Sequence, residues 1–241
     1  MTVDPKRCVV LVPYLTHIEP PCEQGLRELE RMGFAVRRVA SSAAIDRMRC
    51  DMATSALGDG FERLMWIDSD VSFEPAAVEQ LIRHDLPIVA GLYPKKGARA
   101  FAVYFEDDTK ELQMGEGGYL LDVKYVGTGF LLTHRMVYDD IRRTFGLPTC
   151  NTKWGQPTVP FFLPMVVPDG ADGFWYLGED FAFCERARQA GHKITIDSTI
   201  RLGHIGKYAY QWEDAGMAMP RVPAAKFDMG HDPGDVEPKK P

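Results

Sequence analysis

Residues 63–70 read Arg-Leu-Met-Trp-Ile-Asp-Ser-Asp, an apolar run that closes on two carboxylates. The apolar part is short and bounded by polar residues, which predicts a buried β-strand. Similar apolar runs precede and follow it, and segments with helical spacing separate them. The predicted strands are 8–12, 34–39, 63–67 and 87–92, and the predicted helices are 22–32, 45–57 and 75–83. This βαβαβαβ order predicts a parallel sheet with helices on both faces.

The chain changes character after residue 100. The later predicted elements are short strands at 101–105, 111–114, 119–125, 127–132 and 193–196 and helices at 135–145 and 181–190. Residues 147–175 show no periodicity and are predicted as a long loop. The predicted fold class is a Rossmann-type three-layer α/β sandwich with a mostly parallel central sheet and a smaller mixed β region. We predict one domain at 1–219, with halves at 1–100 and 101–219, and a tail at 220–241.

The composition excludes several classes of protein. The 241 residues are 45% hydrophobic and 26% charged, a globular balance that excludes disorder. Lys and Arg number 28 against 34 Asp and Glu, and the net charge of −6 argues against nucleic acid as a partner. Five cysteines form no close pair, and no apolar stretch reaches the roughly 18 residues of a membrane span. We expect reduced thiols and a protein that is cytoplasmic or peripheral at the membrane.

Asp68 and Asp70 are the first candidates for chemistry. Ligands of an open parallel sheet gather at the carboxyl ends of its strands, where these two residues are predicted to lie. Mg²⁺ and Mn²⁺ prefer oxygen ligands and are often held by one or two carboxylates together with substrate phosphates. The alternative is a pair of turn or capping aspartates ahead of the helix at Pro75.

Two further motifs carry titratable groups. Glu179 and Asp180 precede a predicted helix, where a carboxylate can act as a base or simply cap the helix. His204 lies between Gly203 and Gly206. An imidazole can complete a Mn²⁺ site with carboxylates, although a lone His is more often structural.

Basic residues provide candidates for phosphate contacts. Arg47 and Arg49 are two residues apart on a predicted helix, so they point in different directions and one of them can reach a ligand. Lys95 and Lys96 form a basic pair after the strand at 87–92, and a lysine there could offset the charge of a diphosphate. Solvent-exposed surface charge is the alternative for all four residues.

Together these motifs resemble the GT-A class of nucleotide-sugar-dependent glycosyltransferases, in a compact family-2-like branch of bacteria and phages. The matching segments follow the family's order over about residues 8–207, and they are 9–14, 45–50, 65–70, 87–95, 126–130, 178–184, 196–197 and 203–206. One departure is Cys50, which stands where the family's Arg-x-Arg-Asn motif has Asn.

The resemblance implies a GT-A-like fold, a role for each residue and a cofactor, Mn²⁺ or Mg²⁺. Asp70 and His204 would ligate the metal, and Asp68 would contact the ribose or a metal-bound water, or join the metal's ligands. Asp180 would be the base, with Glu179 as its orienter or reserve. The residues implied in binding the nucleotide sugar are Pro13, Tyr14, Arg47, Arg49, Asp68, Ser69, Lys95, Gly127, Thr128 and Gly129.

The implied reaction is transfer, with inversion, from a UDP- or GDP-sugar to a hydroxyl of a glycan, lipid-linked or small-molecule acceptor. Aromatic faces suit sugar rings, so Trp154, Trp175 and Tyr176 are candidates for acceptor binding. Their alternative role is to pack the loop against the domain.

Two rival functions stay open at this point. A haloacid-dehalogenase-like phosphotransferase also follows an apolar strand with Asp-x-Asp and would use Asp68 as its nucleophile. A sugar-nucleotide-binding module without catalysis would keep the fold and lose turnover.

Overall fold

A computed structural model describes residues 4–40, 44–98, 100–170, 173–206, 208–215 and 223–228. Elements of the first half are β1 (Cys8–Tyr14), α1 (Pro20–Arg31), β2 (Ala35–Ala40), α2 (Ile45–Gly58), β3 (Arg63–Ile67), β4 (Val71–Ser72), α3 (Pro75–Arg83) and β5 (Ile88–Gly91). Elements of the middle are β6 (Val103–Tyr104), β7 (Glu111–Gly115), β8 (Leu120–Val123), β9 (Tyr125–Val126), β10 (Phe130–His134) and α4 (Arg135–Phe145). The remaining elements are β11 (Met165–Asp169), β12 (Gly173–Leu177), α5 (Glu179–Gln189), β13 (Ile194–Asp197), β14 (Gly203–Ile205), β15 (Ala209–Tyr210), α6 (Trp212–Ala215) and β16 (Ala224–Asp228).

The central sheet has seven strands in the order β2-β1-β3-β10-β5-β13-β8. Strand β1 pairs in parallel with β2 and β3, and β13 pairs in parallel with β5. Strand β10 runs antiparallel between β3 and β5, and β8 runs antiparallel at one edge. Five strands therefore share one direction, which confirms the predicted α/β class with a mostly parallel central sheet.

Side chains of the central strands alternate between two cores, one on each face of the sheet. Leu64 and Trp66 of β3 face the core that α2, α4 and α5 complete, while Met65 and Ile67 face the core of α1 and α3. This alternation follows from the period of two along a strand, and it produces the three layers. Within the first core, the Trp66 indole donates to the Tyr138 hydroxyl at 2.9 Å, which satisfies two buried polar groups.

Two regions differ from the predictions. The predicted loop at 147–175 contains most of a β-hairpin, in which β11 and β12 pair antiparallel. Apolar residues occupy both faces of this hairpin, so the alternation that signals a strand is missing from the sequence. Within the predicted tail, Ala224–Asp228 pairs with β7, and the rest of 220–241 apart from Pro223 lies outside the described residues.

All five cysteines lie in described segments and are free, and four are buried. None of the helices in the described ranges is long and apolar enough to cross a membrane.

Candidate functional site

The carboxyl ends of β1 and β3 open onto a cleft of about 320 Å³. Because these strands are parallel neighbours, their ends meet at one edge of the sheet. The cleft also receives residues from α2 and from the start of α5. Its lining is Pro13, Tyr14, Leu15, Ile45, Arg49, Asp68, Ser69, Asp70 and Glu179. All of these except Leu15 and Ile45 are site residues predicted from the sequence.

Arg49 pairs with Asp68 in the wall of the cleft. Only 3% of Arg49 is exposed, and its Nη2 donates to Asp68 Oδ1 at 2.8 Å. Its Nε lies 3.8 Å from Glu179 Oε1, and within the described part of the chain neither Nε nor Nη1 has a hydrogen-bond partner. Burial disfavours the guanidinium charge, but Asp68 and Glu179 outweigh burial and raise the pKa of Arg49. The buried Arg49 guanidinium therefore offsets the negative charges of Asp68 and Glu179 in the wall of the cleft.

The glycine turn at 127–129 passes behind Asp68, and all of its residues are buried. The Asp68 backbone N–H donates to the Gly129 carbonyl at 3.0 Å, and the Gly129 N–H donates to the Tyr93 hydroxyl at 3.0 Å. A Cβ on Gly129 would lie 2.6 Å from the Tyr93 hydroxyl oxygen and 2.9 Å from Asp68 Oδ2, so a side chain here would displace the tyrosine or the carboxylate. Burial, with the negative charges of Asp68 and Asp180, raises the pKa of Tyr93, which therefore keeps its proton.

Asp70 and His204 face each other at the mouth of the cleft. Strand β14 pairs antiparallel with β4, which brings His204 Nε2 to 3.4 Å from Asp70 Oδ1. The Lys96 ammonium donates to Asp70 Oδ2. Burial opposes ionisation of Asp70, but the hydrogen bonds with His204 and Lys96 outweigh burial and lower the pKa of this carboxyl.

The tautomer of His204 follows from the hydrogen bond that its Nδ1 makes. Nδ1 lies 2.8 Å from the Pro94 carbonyl oxygen, which can only accept, so Nδ1 carries a proton. In the neutral ring Nε2 is then an acceptor that faces a second acceptor, Asp70 Oδ1. A proton or a metal ion between these two atoms satisfies both.

The geometry of Asp70 and His204 fits two neighbouring ligands of one metal ion. Two ligands bound at right angles to an ion such as Mg²⁺ lie about 3 Å apart, close to the 3.4 Å seen here. Among the residues that the structure describes, no three His, Cys, Asp or Glu side chains surround one point. Asp68, also predicted as a ligand, accepts a hydrogen bond from Arg49 with its Oδ1. A metal at Asp70 and His204 would therefore need further oxygen ligands from water or a phosphate.

Glu179 and Asp180 form the first turn of α5, which begins two residues earlier than predicted. Glu179 lines the cleft, whereas Asp180 is not among the described residues that do so. Asp180 Oδ1 accepts from the Phe181 backbone N–H at 2.7 Å. Burial raises the pKa of both carboxyls, with the charge of Asp180 adding to the effect on Glu179 and Arg49 opposing it.

Several predicted site residues lie elsewhere. Arg47 points to solvent, with its Nε 3.6 Å from Asp51 Oδ2, because it is two residues from Arg49 on the helix. Lys95 is exposed, and its neighbour Lys96 makes the contact with Asp70. Trp154 and Tyr176 are exposed, and Trp175 is half-buried against aromatic side chains.

Two residues of the site, Tyr93 and Lys96, were not among the predicted site residues, although Lys96 belongs to the basic pair noted in the sequence. Both lie in the stretch Gly91–Lys96, where a buried strand leads into two lysines. The lysine pair was the available signal, but a sequence alone does not show which of two adjacent side chains turns toward the cleft.

Comparison with known proteins supports the fold and leaves the family open. No family model and no curated protein matches this chain. The solved structure of A197 from STIV is 18% identical, with 87% of this chain and 92% of that chain covered and a TM-score of 0.57. At this identity the match shows a shared fold.

More distant matches include GalNAc-T7 with UDP, GalNAc and Mn²⁺, which is 10% identical over 85% of this chain and 44% of that chain, with a TM-score of 0.43. A glycosyltransferase involved in glycosylation of the major capsid of PBCV-1 is 12% identical over 58% and 65%, with a TM-score of 0.31. Both likenesses are distant.

Proposed function

We propose that this chain transfers a sugar from a nucleoside diphosphate sugar to a hydroxyl acceptor. The observation that carries this proposal is the cleft itself, where Arg49, Asp68, Asp70 and Glu179 converge beside His204. The set combines a buried cation, a carboxylate–imidazole pair that fits a metal, and a carboxylate with a raised pKa. The resemblance of the motifs to GT-A glycosyltransferases supports the same function.

The donor would occupy the cleft with its nucleoside toward β1. Pro13, Tyr14 and Leu15 form a mostly apolar wall that suits a base, and Asp68 offers a carboxylate to ribose hydroxyls. Arg49 orients Asp68 through its hydrogen bond to Oδ1, which fixes the acceptor oxygens of Asp68 for the ribose. The buried turn at 127–129, behind Asp68, would lie near the transferred sugar.

A divalent ion, Mn²⁺ or Mg²⁺, would be held by Asp70 and His204. When bound, such an ion offsets the negative charge that develops on the leaving diphosphate. Asp70 has a lowered pKa and stays ionised at neutral pH, and the Pro94 carbonyl fixes the ring of His204. These residues therefore orient their two ligand atoms before any ligand arrives.

The base would come from the start of α5. A carboxylate there takes the proton of the acceptor hydroxyl while the hydroxyl oxygen forms a bond to the anomeric carbon of the sugar. The bond from that carbon to the diphosphate oxygen breaks in the same step. Attack from the opposite face inverts the configuration. Asp180 is the proposed base, with Glu179 as its orienter or reserve. The raised pKa of both groups suits a base that works near neutral pH.

Calorimetry with nucleotides is the decisive test. UDP, GDP, CDP and dTDP would be titrated into the protein, each with Mn²⁺ and with EDTA. We expect one nucleotide to bind with Mn²⁺, and its binding to be lost in Asp70→Ala and kept in Asp107→Ala, a control in an exposed turn. A folded protein that binds none of the four would contradict the proposal.

Turnover assays separate the rival functions. With the matching nucleotide sugar and a set of hydroxyl acceptors, we expect release of the nucleoside diphosphate together with a glycosylated product. Phosphatase activity that Asp68→Asn abolishes would favour the phosphotransferase. Binding without turnover in any acceptor screen would favour the binding module.

A further inference from the structure

The loop between β5 and β6 carries a lysine to the carboxylate of Asp70. A backbone bridge between Pro94 and Phe101 closes this loop, and the Lys95 N–H donates to the Ala100 carbonyl at 2.7 Å. Lys96 lies at the turn, and its ammonium donates to Asp70 Oδ2. About a third of the Lys96 side chain, 35%, is exposed, so the ammonium can leave this position for solvent or for a ligand.

The same loop holds the second member of the pair. The Pro94 carbonyl accepts from His204 Nδ1 at 2.8 Å, and the edge of the Tyr93 ring packs against the imidazole with centroids 5.2 Å apart. One short segment therefore orients His204 and also provides the cation that lies on Asp70.

Space for the lysine stem comes from a glycine that follows His204. A Cβ placed on Gly206 would lie 3.4 Å from Cδ and 3.6 Å from Cε of Lys96, which is van der Waals contact. The aliphatic carbons of Lys96 therefore pass directly over the backbone at this glycine. The contact between Lys96 and Asp70 is thus supported by packing as well as by charge.

We propose that Lys96 is a resident cation which a divalent metal must displace from Asp70. This inference rests on the proposed function, because it concerns the same pair of ligands. A dication bound at Asp70 repels an ammonium bonded to the same carboxylate, so the two positions exclude each other. Lys96 therefore weakens binding of the metal alone.

A donor diphosphate reverses this effect. Its oxygens would ligate the metal and at the same time accept hydrogen bonds from the displaced ammonium. Each ligand then binds more tightly when the other is present, and the coupling is reciprocal. Lys96 would thereby restrict metal loading to the donor-bound state.

The test is the affinity for Mn²⁺ alone, measured from the electron paramagnetic resonance signal of the free ion. Five proteins are compared: wild type, K96M, K96R, K95M and D70N. We expect K96M to bind Mn²⁺ about tenfold more tightly than wild type, since removing a competing ion pair is worth up to about that factor. K96R keeps the cation and K95M removes the adjacent one, so both should match wild type. D70N should bind weakly.

A second titration measures the coupling. With saturating UDP or GDP, whichever binds, the Mn²⁺ affinity should rise more in wild type than in K96M. Equal Mn²⁺ affinities in wild type and K96M, or no Mn²⁺ binding by K96M, would overturn the role of Lys96. In that case, nucleotide binding and sugar transfer by the wild type would still support the proposed function. A wild-type protein that binds no nucleotide would contradict both the role of Lys96 and the proposed function.

Discussion

Gly178 joins the hairpin β11–β12 to the cleft, yet the side chains of the two regions have different partners. In the cleft, Asp68 is bonded to Arg49, and Asp70 contacts Lys96 and His204. The hairpin turns one face to the core and the other to solvent. Its exposed face carries Val166, Pro168, Phe174 and Tyr176.

This difference indicates how each region can use a ligand. A ligand in the cleft exchanges partners with charges that are already paired, so binding there depends on electrostatics. A ligand on the hairpin meets apolar surface that is already exposed to solvent, so no existing contact has to be broken. We therefore assign the charged donor to the cleft and propose the outer face of the hairpin, with Phe174 and Tyr176, for the acceptor.

The largest effect on stability is expected from removing Arg49, the buried cation of the cleft. Arg49→Met leaves Asp68 and Glu179 without their shared partner in a mostly buried wall. We expect the free energy of unfolding to fall by about 3 kcal/mol, measured by denaturant titration at pH 7.5. Arg47→Met is the matched control, since it removes the same group two residues away at an exposed position. It should change stability by less than about 0.5 kcal/mol. Equal effects of the two variants would show that the cleft charges are not interdependent.

The two faces of the hairpin provide the next test. Trp175 packs against Tyr104 and Tyr125, with ring centroids 5.0 and 5.6 Å away. Phe174, the preceding residue, is 78% exposed. We expect Trp175→Ala to lower the unfolding free energy by about 2 kcal/mol and Phe174→Ala to change it by less than about 0.5 kcal/mol.

For acceptor binding we expect the opposite order, with the larger effect in Phe174→Ala and the smaller in Trp175→Ala. Phe174→Ala should raise the acceptor KM several-fold while nucleotide affinity stays constant, because only the outer face meets the acceptor. An unchanged acceptor KM in Phe174→Ala and Tyr176→Ala would remove the hairpin from acceptor binding.

The parts of the structure that could be predicted are those specified by local sequence. The strand at 63–67 and the helices at 75–83 and 135–145 lie where they were expected, because each is bounded by its own polar residues, Gly or Pro. The position of Asp68 and Asp70 at a strand end followed from the same pattern.

The remaining features depend on contacts between distant segments. Phe130–His134 reads as an ordinary buried strand, and nothing in its residues specifies insertion between β3 and β5 in the antiparallel direction. The choice of Lys96 over Lys95 depends on a turn closed by Pro94 and Phe101. Such tertiary pairings override what a window of neighbouring residues can show.

A small effect on stability is expected at Glu179, whose carboxylate lies beside Arg49 in the wall of the cleft. Its pKa is raised in the folded protein by burial and by the charge of Asp180. A carboxyl with a raised folded pKa binds its proton more tightly when folded. Its contribution is therefore most favourable below the unfolded value of about 4.3 and declines as the pH rises through the folded pKa.

Glu179→Gln cannot ionise and should escape that decline. We expect the variant to match wild type near pH 4 and to be more stable at pH 7.5, by less than about 1 kcal/mol. Denaturant unfolding at pH 4, 5.5 and 7.5 would measure this difference. The same variant should lower transfer by less than about 10²-fold, because it removes the residue that orients Asp180 and keeps the base itself. Reduced stability at pH 7.5 would show instead that the pairing of Glu179 with Arg49 outweighs its burial, and that the cleft carries no unfavourable charge retained for catalysis.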